Sequence, residues 1–167
     1  MQMLKEVKMK QYFDLKGRVA IVTGCSGGLG VQMAKALANQ GAIIVPIARR
    51  QQKIEEVAAE IHEEFGVETF PVRCDITDTQ MVEEVIDKVL EKYGITVNAI
   101  CPGYFYTPLT KETLASDFFQ QNAKTMIPEE RYGNEGELDT AAIFLASPAS
   151  GYVTGVNLPV DGGYTCM

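Results

Sequence analysis

The stretch with the clearest capacity for chemistry is Thr23–Gly30, TGCSGGLG. It ends an apolar run, Arg18–Gly24, and opens a segment in which Leu29, Met33, Ala36 and Leu37 recur at helical spacing. A strand that turns tightly into a helix leaves the first N–H groups of that helix without partners, and the helix dipole adds positive potential there. Phosphate is the ligand such a terminus accepts. Gly24 suits the tight turn, Gly28 lets a pyrophosphate approach the backbone, and Gly30 lets the helix pack closely on its strand. Ser26 and Leu29 belong to the same candidate phosphate site. A glycine trio also marks purely structural turns; the strand–turn–helix context is what favours a nucleotide.

A second chemical signal lies at the end of the next strand, which reads IARR (Ile47–Arg50). A site that prefers NAD places an acid there for the ribose hydroxyls. Ala48 stands in that place, and Arg49 and Arg50 follow; a guanidinium grips a phosphate bidentately. A solvated basic pair before a helix is the plainer reading, but it leaves the missing acid unexplained. NADP(H) is the preferred cofactor and NAD(H) the second candidate. No metal chemistry is expected, because Cys25, Cys74, Cys101, Cys166 and the single histidine, His62, lack ligand spacing. The cysteines read as four reduced thiols.

The elements that position these residues alternate in period. Strands are expected at Arg18–Gly24, Ala42–Ala48 and Glu68–Cys74, with helices over Gly28–Asn39, around Ile54–Phe65, and from Thr77 onward. Thr77 and Gln80 pair as a capping box, ahead of a stripe that includes Met81, Val82, Val85 and Ile86. Pro71 suits an edge strand, whereas Pro46 in a central strand needs a ladder position without an inward N–H partner, or a bulge. Further on come a strand at Ile95–Ile100, a polar helix around Lys111–Lys124, another over Glu135–Ser147 and a last strand at Gly155–Asp161. Such alternation implies an α/β fold, a doubly wound parallel sheet with right-handed crossovers and helices on both faces.

At 167 residues the chain is expected to form one domain, 1–167, with an N-terminal β-α-β-α-β-α half (1–94) joined directly to a C-terminal part (95–167). A net charge of −7 and a pI near 4.8 speak against nucleic acid and against an anionic membrane surface. Charges of both signs at the N-terminus argue against a signal peptide, so a cytoplasmic protein is expected. The expected partner is a small-molecule substrate.

The sequence resembles the short-chain dehydrogenase/reductase family, on LKGRVAIVTG, the glycine loop and CDITD upstream, and on ITVNAICPG and FLASPASGYVTGVNLPVDGG downstream. FDLKGRVAIVTG and AKTMIPEERYGNEGELDTAAIFLAS look most like gluconate 5-dehydrogenase-type members. The resemblance implies a Rossmann-type fold and a nicotinamide-dependent oxidoreductase. It also implies that Asp75 contacts adenine, that Ile76 packs on the base, and that Pro102, Gly103 and Thr107 border the nicotinamide. As alternatives, Asp75 caps the third helix and CPGYFYTP is only a turn and loop.

The same resemblance exposes an absence. Family members use a serine and a Tyr-x-x-x-Lys pair for acid–base work, with two strands and two helices around them. None of this stands between Gly94 and Ile95, where EKYG runs directly into ITVN. Joining the two Lys-Tyr-Gly segments common in the family would give this junction; a natural deletion, an engineered one and an incomplete sequence would all read this way. Tyr12 and Lys16 have the right spacing but precede the first strand and fall at the wrong edge. Tyr104 or Tyr106 with Lys111 lies nearer the expected pocket, where loop tyrosines ordinarily pack or line substrate. No catalytic residue is assigned. The shortened sheet is expected in the order 3-2-1-4-5, with a homo-oligomer through the C-terminal surfaces as a hypothesis. Three functions compete: a little-active NADP(H) oxidoreductase for a small, sugar-acid-like substrate, a non-catalytic nucleotide-binding module, and a Rossmann protein for another ligand.

Overall fold

The computed structural model describes residues 13–93 and 96–166. The junction at Gly94–Ile95 and Tyr12 lie outside the described residues. The elements run β1 (Val19–Thr23), α1 (Gly28–Asn39), β2 (Ile43–Ala48), α2 (Gln51–Phe65), β3 (Val72–Arg73) and α3 (Thr79–Tyr93). They continue with β4 (Ala99–Pro102), α4 (Lys111–Ala115), α5 (Asp117–Met126), α6 (Asp139–Ala146) and β5 (Asn157–Val160).

All strand pairs are parallel. β2 lies between β1 and β3, with Val19 opposite Ile43 and Ile47 opposite Val72, while β4 pairs with β5 from Ala99–Asn157 to Pro102–Val160. The expected orders 3-2-1 and 4-5 are both present, but β4 makes no ladder with β1 among the described residues, so the continuous 3-2-1-4-5 sheet is not formed. α6 packs against α1, and Ala142 of α6 and Ile100 of β4 join the core built on β1 and β2, so the two sheets meet through side chains and not through a shared ladder.

One face carries the larger core. Ala20, Val22 and Ile44 from the sheet meet Ala34, Leu37 and Ala38 of α1, Val57 and Ile61 of α2, and Ala142 of α6, with Ile100 of β4 packed alongside. Burying a side chain such as Ile44, Ile54 or Ile61, each fully enclosed, contributes about 1.5–3 kcal/mol. α3 covers the other face, where Met81, Val82 and Val85 pack on Val45, Ile47 and Cys74. Ile86, grouped with that stripe by spacing, is exposed, because a single helix crosses that face. α2 ends on Gly66, whose N–H donates to the His62 carbonyl.

Several boundaries differ from the expected ones for local reasons. Asp78, not Thr77, caps α3: its carboxylate accepts the Met81 N–H at 3.1 Å, while the Thr77 hydroxyl donates to Asp75. The Lys111–Lys124 helix breaks at Ser116, which adopts an extended conformation and caps α5 by accepting the Phe119 N–H. β4 starts at Ala99 because the Asn98 side chain bridges to Val153 O and Val156 N. Pro46 lies in register opposite Val22 without a bulge. The bridge Ile44–Thr69 and the pair Ile47–Val72 share one register, so Pro46 faces Pro71 across the stretch where the β2–β3 ladder is interrupted. Its missing donor therefore points to the edge strand.

Candidate functional site

Because β1, β2 and β3 are parallel, Thr23, Ala48 and Arg73 end at one edge, and the loop after Pro102 reaches it where Thr107 approaches Gly28; the expected nucleotide residues follow these ends. Gly24 and Gly28 have φ values of 70° and 57°, left-handed conformations that cost an L side chain about 1–2 kcal/mol. Space stands open beside Gly24 and Gly27. Gly30 is different in kind: a Cβ there would lie 2.6 Å from the Gly24 carbonyl oxygen, so the helix start and the turn are in direct backbone contact. The first turn of α1 has no acidic residue and no side-chain cap, which leaves its N–H groups and positive dipole end for an anion. Ser26 and Leu29 are half-buried within this loop.

The two arginines after β2 are held differently. Arg50 reaches back to the glycine loop, its Nη2 donating to Ser26 Oγ at 3.1 Å and to the Ser26 carbonyl at 3.4 Å. Arg49 is exposed, and its guanidinium donates no hydrogen bond among the described residues. A third arginine was not singled out from the sequence. Arg73 of β3 is the register partner of Ala48, and its Nε–H donates to the Arg49 carbonyl at 3.2 Å. No signal in the sequence marks it, because its place beside Ala48 depends on the β2–β3 register.

Asp75 follows β3 and accepts both the N–H and the hydroxyl of Thr77, at 3.1 and 2.8 Å. The Thr77 backbone bond, then its hydroxyl, hold this carboxyl below the usual range, with Arg49 and Arg73 adding positive potential. Asp75 thus shapes the turn into α3 without capping it. Ile76 beside it is 67% exposed, an apolar side chain presented to solvent at the nucleotide edge.

Pro102 and Gly103 leave β4, the Gly103 N–H donating to the Val160 carbonyl at 3.0 Å. Thr107 is buried. Its hydroxyl lies 2.9 Å from that of Thr110, which in turn donates to the Phe105 carbonyl at 2.6 Å. A Cβ on Gly28 would come within 3.8 Å of Thr107 Cγ2, so the two halves of the chain meet at the glycine loop.

No proton-transfer pair is assembled here among the described residues. Tyr104 packs edge-on against Phe119 and Tyr164, with centroids 5.0 and 5.5 Å away. Burial and then Tyr164 push its phenol up, the opposite of what a general base needs near neutral pH. Tyr106 and Lys111 are exposed. Lys16 lines a cleft of about 880 Å³ with Phe13, Gly41 and Phe65 at the amino ends of the strands, far from the glycine loop. Burial raises the Cys25 thiol to about 11. The described residues hold no cluster of metal-ligating side chains and no helix long and apolar enough to cross a membrane.

Comparison with known proteins gives the same picture in two pieces. Residues 18–94 match the short chain dehydrogenase profile, and residues 88–165 match the profile described as Enoyl-(Acyl carrier protein) reductase. The uncharacterized oxidoreductase YgcW of Escherichia coli is 48% identical over 75 residues, 45% of this chain and 29% of that protein. The 5-keto-D-gluconate 5-reductase of Escherichia coli is 32% identical over 133 residues, 79% of this chain and 52% of that protein. The chain thus spans about a quarter to a half of several curated relatives. Sorbose reductase sou1 of Schizosaccharomyces pombe aligns over 254 residues at 25% identity, taking in 93% of this chain and 99% of itself. With 167 residues here, roughly a hundred of those positions have no counterpart. Among solved structures, a gluconate 5-dehydrogenase from Burkholderia cenocepacia in complex with NADP and tartrate superposes with a TM-score of 0.79 at 23% identity, covering 93% of this chain and 98% of that one.

Proposed function

Because the chain belongs to the short-chain dehydrogenase/reductase family, we propose that it is an NADP(H)-binding oxidoreductase scaffold of the sugar and polyol type that lacks its own acid–base group. The observation that carries the cofactor preference is the arrangement at the end of β2. Ala48 stands where an acid would, Arg50 is latched to Ser26 of the glycine loop, and Arg49 between them is exposed. A guanidinium there attracts a 2′-phosphate, and no carboxylate at position 48 repels it.

The residues present fit a dinucleotide. Gly24, Ser26, Gly28, Leu29 and Gly30 form an open backbone cradle for the pyrophosphate, Asp75 and Ile76 flank the place of the adenine, and Pro102, Gly103 and Thr107 border the place of the nicotinamide. The bound cofactor supplies a hydride donor or acceptor; the chain's own groups bind and orient it. The substrate class is argued by likeness to the galactitol 2-dehydrogenase of Cereibacter sphaeroides and the 5-keto-D-gluconate 5-reductase. Low turnover follows from the absence of the serine and Tyr-x-x-x-Lys between Gly94 and Ile95, which we read as a missing segment. The scaffold is read as one cytoplasmic domain, with self-association through the C-terminal surfaces.

Fluorescence titration with NADPH and NADH, on the wild type and on Arg49→Ala, tests the cofactor reading. Tighter binding of NADPH, lost in the variant, is expected; equal affinity for the two in the wild type overturns it. Intact mass tests the rest. A value of 18.3 kDa agrees with the short chain, and a mass well above it, with ketose reduction restored, refutes the inactive scaffold.

A further inference from the structure

This inference rests on the NADP(H) reading and concerns what holds the phosphate-gripping turn in place. Arg50 commits its guanidinium to Ser26, which leaves Arg49 as the side chain at the end of β2 without a hydrogen bond among the described residues. The direction in which Arg49 projects depends on the backbone between Ala48 and Arg50. Two bonds from β3 fix that backbone: the Cys74 N–H donates to the Ala48 carbonyl at 3.1 Å, and Arg73 Nε–H donates to the Arg49 carbonyl at 3.2 Å. The first is an ordinary ladder bond. The second comes from an exposed side chain on a two-residue edge strand, where a bond contributes little to global stability.

Register places Arg73 beside Ala48, so a third arginine is anchored next to the position that holds the acid of an NAD site, its Nε–H on the Arg49 carbonyl. Asp75 is the carboxylate that faces this cationic edge, within the field of both Arg49 and Arg73. We propose that Arg73 is a positioning residue for 2′-phosphate recognition, holding the Arg49 carbonyl so that the Arg49 guanidinium points to the phosphate.

The test uses the intact chain and four variants: Arg73→Ala, Arg73→Lys, Arg73→Gln and Arg49→Ala. NADPH and NADH are titrated by fluorescence, with adenosine 2′,5′-bisphosphate and AMP as competitors. Arg73→Ala is expected to weaken NADPH and the bisphosphate roughly three- to tenfold, the scale of one hydrogen bond, with NADH and AMP within about twofold. Arg73→Lys keeps the charge without the planar Nε–H donor and should recover only part of the loss; Arg73→Gln keeps a donor without the charge and should recover some of it. Full recovery by lysine and none by glutamine overturns positioning in favour of bare charge. Equal weakening of both cofactors, or no weakening, overturns the role altogether. Arg49→Ala separates the levels. Loss of NADPH preference there with none in Arg73→Ala sinks this inference alone, whereas a wild type that binds the two cofactors equally, or neither, sinks the NADP(H) reading with it.

Discussion

Replacing Gly30 by alanine puts the contact between the glycine turn and α1 to a quantitative test. The added methyl would sit 2.6 Å from the Gly24 carbonyl oxygen, 2.8 Å from its carbon and 3.2 Å from the Cys25 nitrogen. All three neighbours are backbone, so no side chain can swing away. Restoring an ordinary contact near 3.4 Å requires the turn and the helix to part by about 0.8 Å. Overpacking of this kind costs about 1–3 kcal/mol, and alanine returns about 0.5–1 kcal/mol through its better helix propensity. The net loss is therefore about 0–2.5 kcal/mol, a fall of up to roughly 1.3 M in urea midpoint for a slope near 2 kcal/mol/M. The displaced turn also carries Cys25, whose N–H donates to the Ile47 carbonyl at 3.1 Å, so NADPH affinity should fall together with stability. A midpoint raised by the full helix gain, roughly 0.25–0.5 M, would refute the argument, because that gain would then have met no opposing clash.

Further outcomes follow from the same structure. Glu137 accepts two bonds from Arg131, at 2.7 and 2.8 Å, and the Asn134 N–H, which bring its carboxyl from 4.5 down to about 2. A depressed acid stabilises the fold above its unfolded pKa and loses that contribution as pH falls through its folded one. The melting-temperature difference between wild type and Glu137→Gln should accordingly shrink from pH 5 to pH 2, and a constant difference rejects the pairing. A disulfide-exchange reagent should label Cys101 and Cys166 quickly, both being exposed, and Cys25 and Cys74 only on unfolding, since burial encloses them and raises their thiols; four equally fast sites would contradict this. Ile76→Ala should change stability by no more than about 0.5 kcal/mol, as expected for an exposed site, while lowering NADPH affinity. Ile61→Ala, at a fully buried position, should cost about 2–5 kcal/mol in urea denaturation.

The legible parts of this molecule were those whose period and punctuation agree. β1, α1, β2 and α2 lie within a residue or a few of their expected bounds, because apolar runs and Gly24, Gly41 and Gly66 mark their limits. The glycine loop could be read for the same reason. Side-chain competition was harder to see. Three candidate caps, Asp75, Thr77 and Asp78, crowd the start of α3, and only the geometry assigns Asp78 to the helix. Ser116 interrupts a stretch whose composition reads as one helix, and Asn98 replaces two backbone ladder partners with its amide. The separation of β4 from β1 was illegible for a different reason: which strands pair is settled between segments far apart in the chain, and no local pattern encodes it. Arg73 needed a register, which became countable only once Ile47 was seen opposite Val72.

That separation has a thermodynamic consequence. The ladders β1–β3 and β4–β5 share no backbone hydrogen bond among the described residues, and the two blocks adhere through packing contacts, between α1 and α6, around Ile100, and where Thr107 meets Gly28. Each block is therefore a candidate cooperative unit, opening with its own free energy. On the proposed function, a dinucleotide held between Gly28 and Thr107 would touch both and act as a staple between them. Part of its binding free energy is spent on fixing one block against the other, so this chain should bind its cofactor less tightly than a relative with an unbroken sheet. By linkage the coupling runs the other way as well: ligand at the glycine loop should slow amide exchange in β5, a strand that pairs with β4 and not with the loop's own strand.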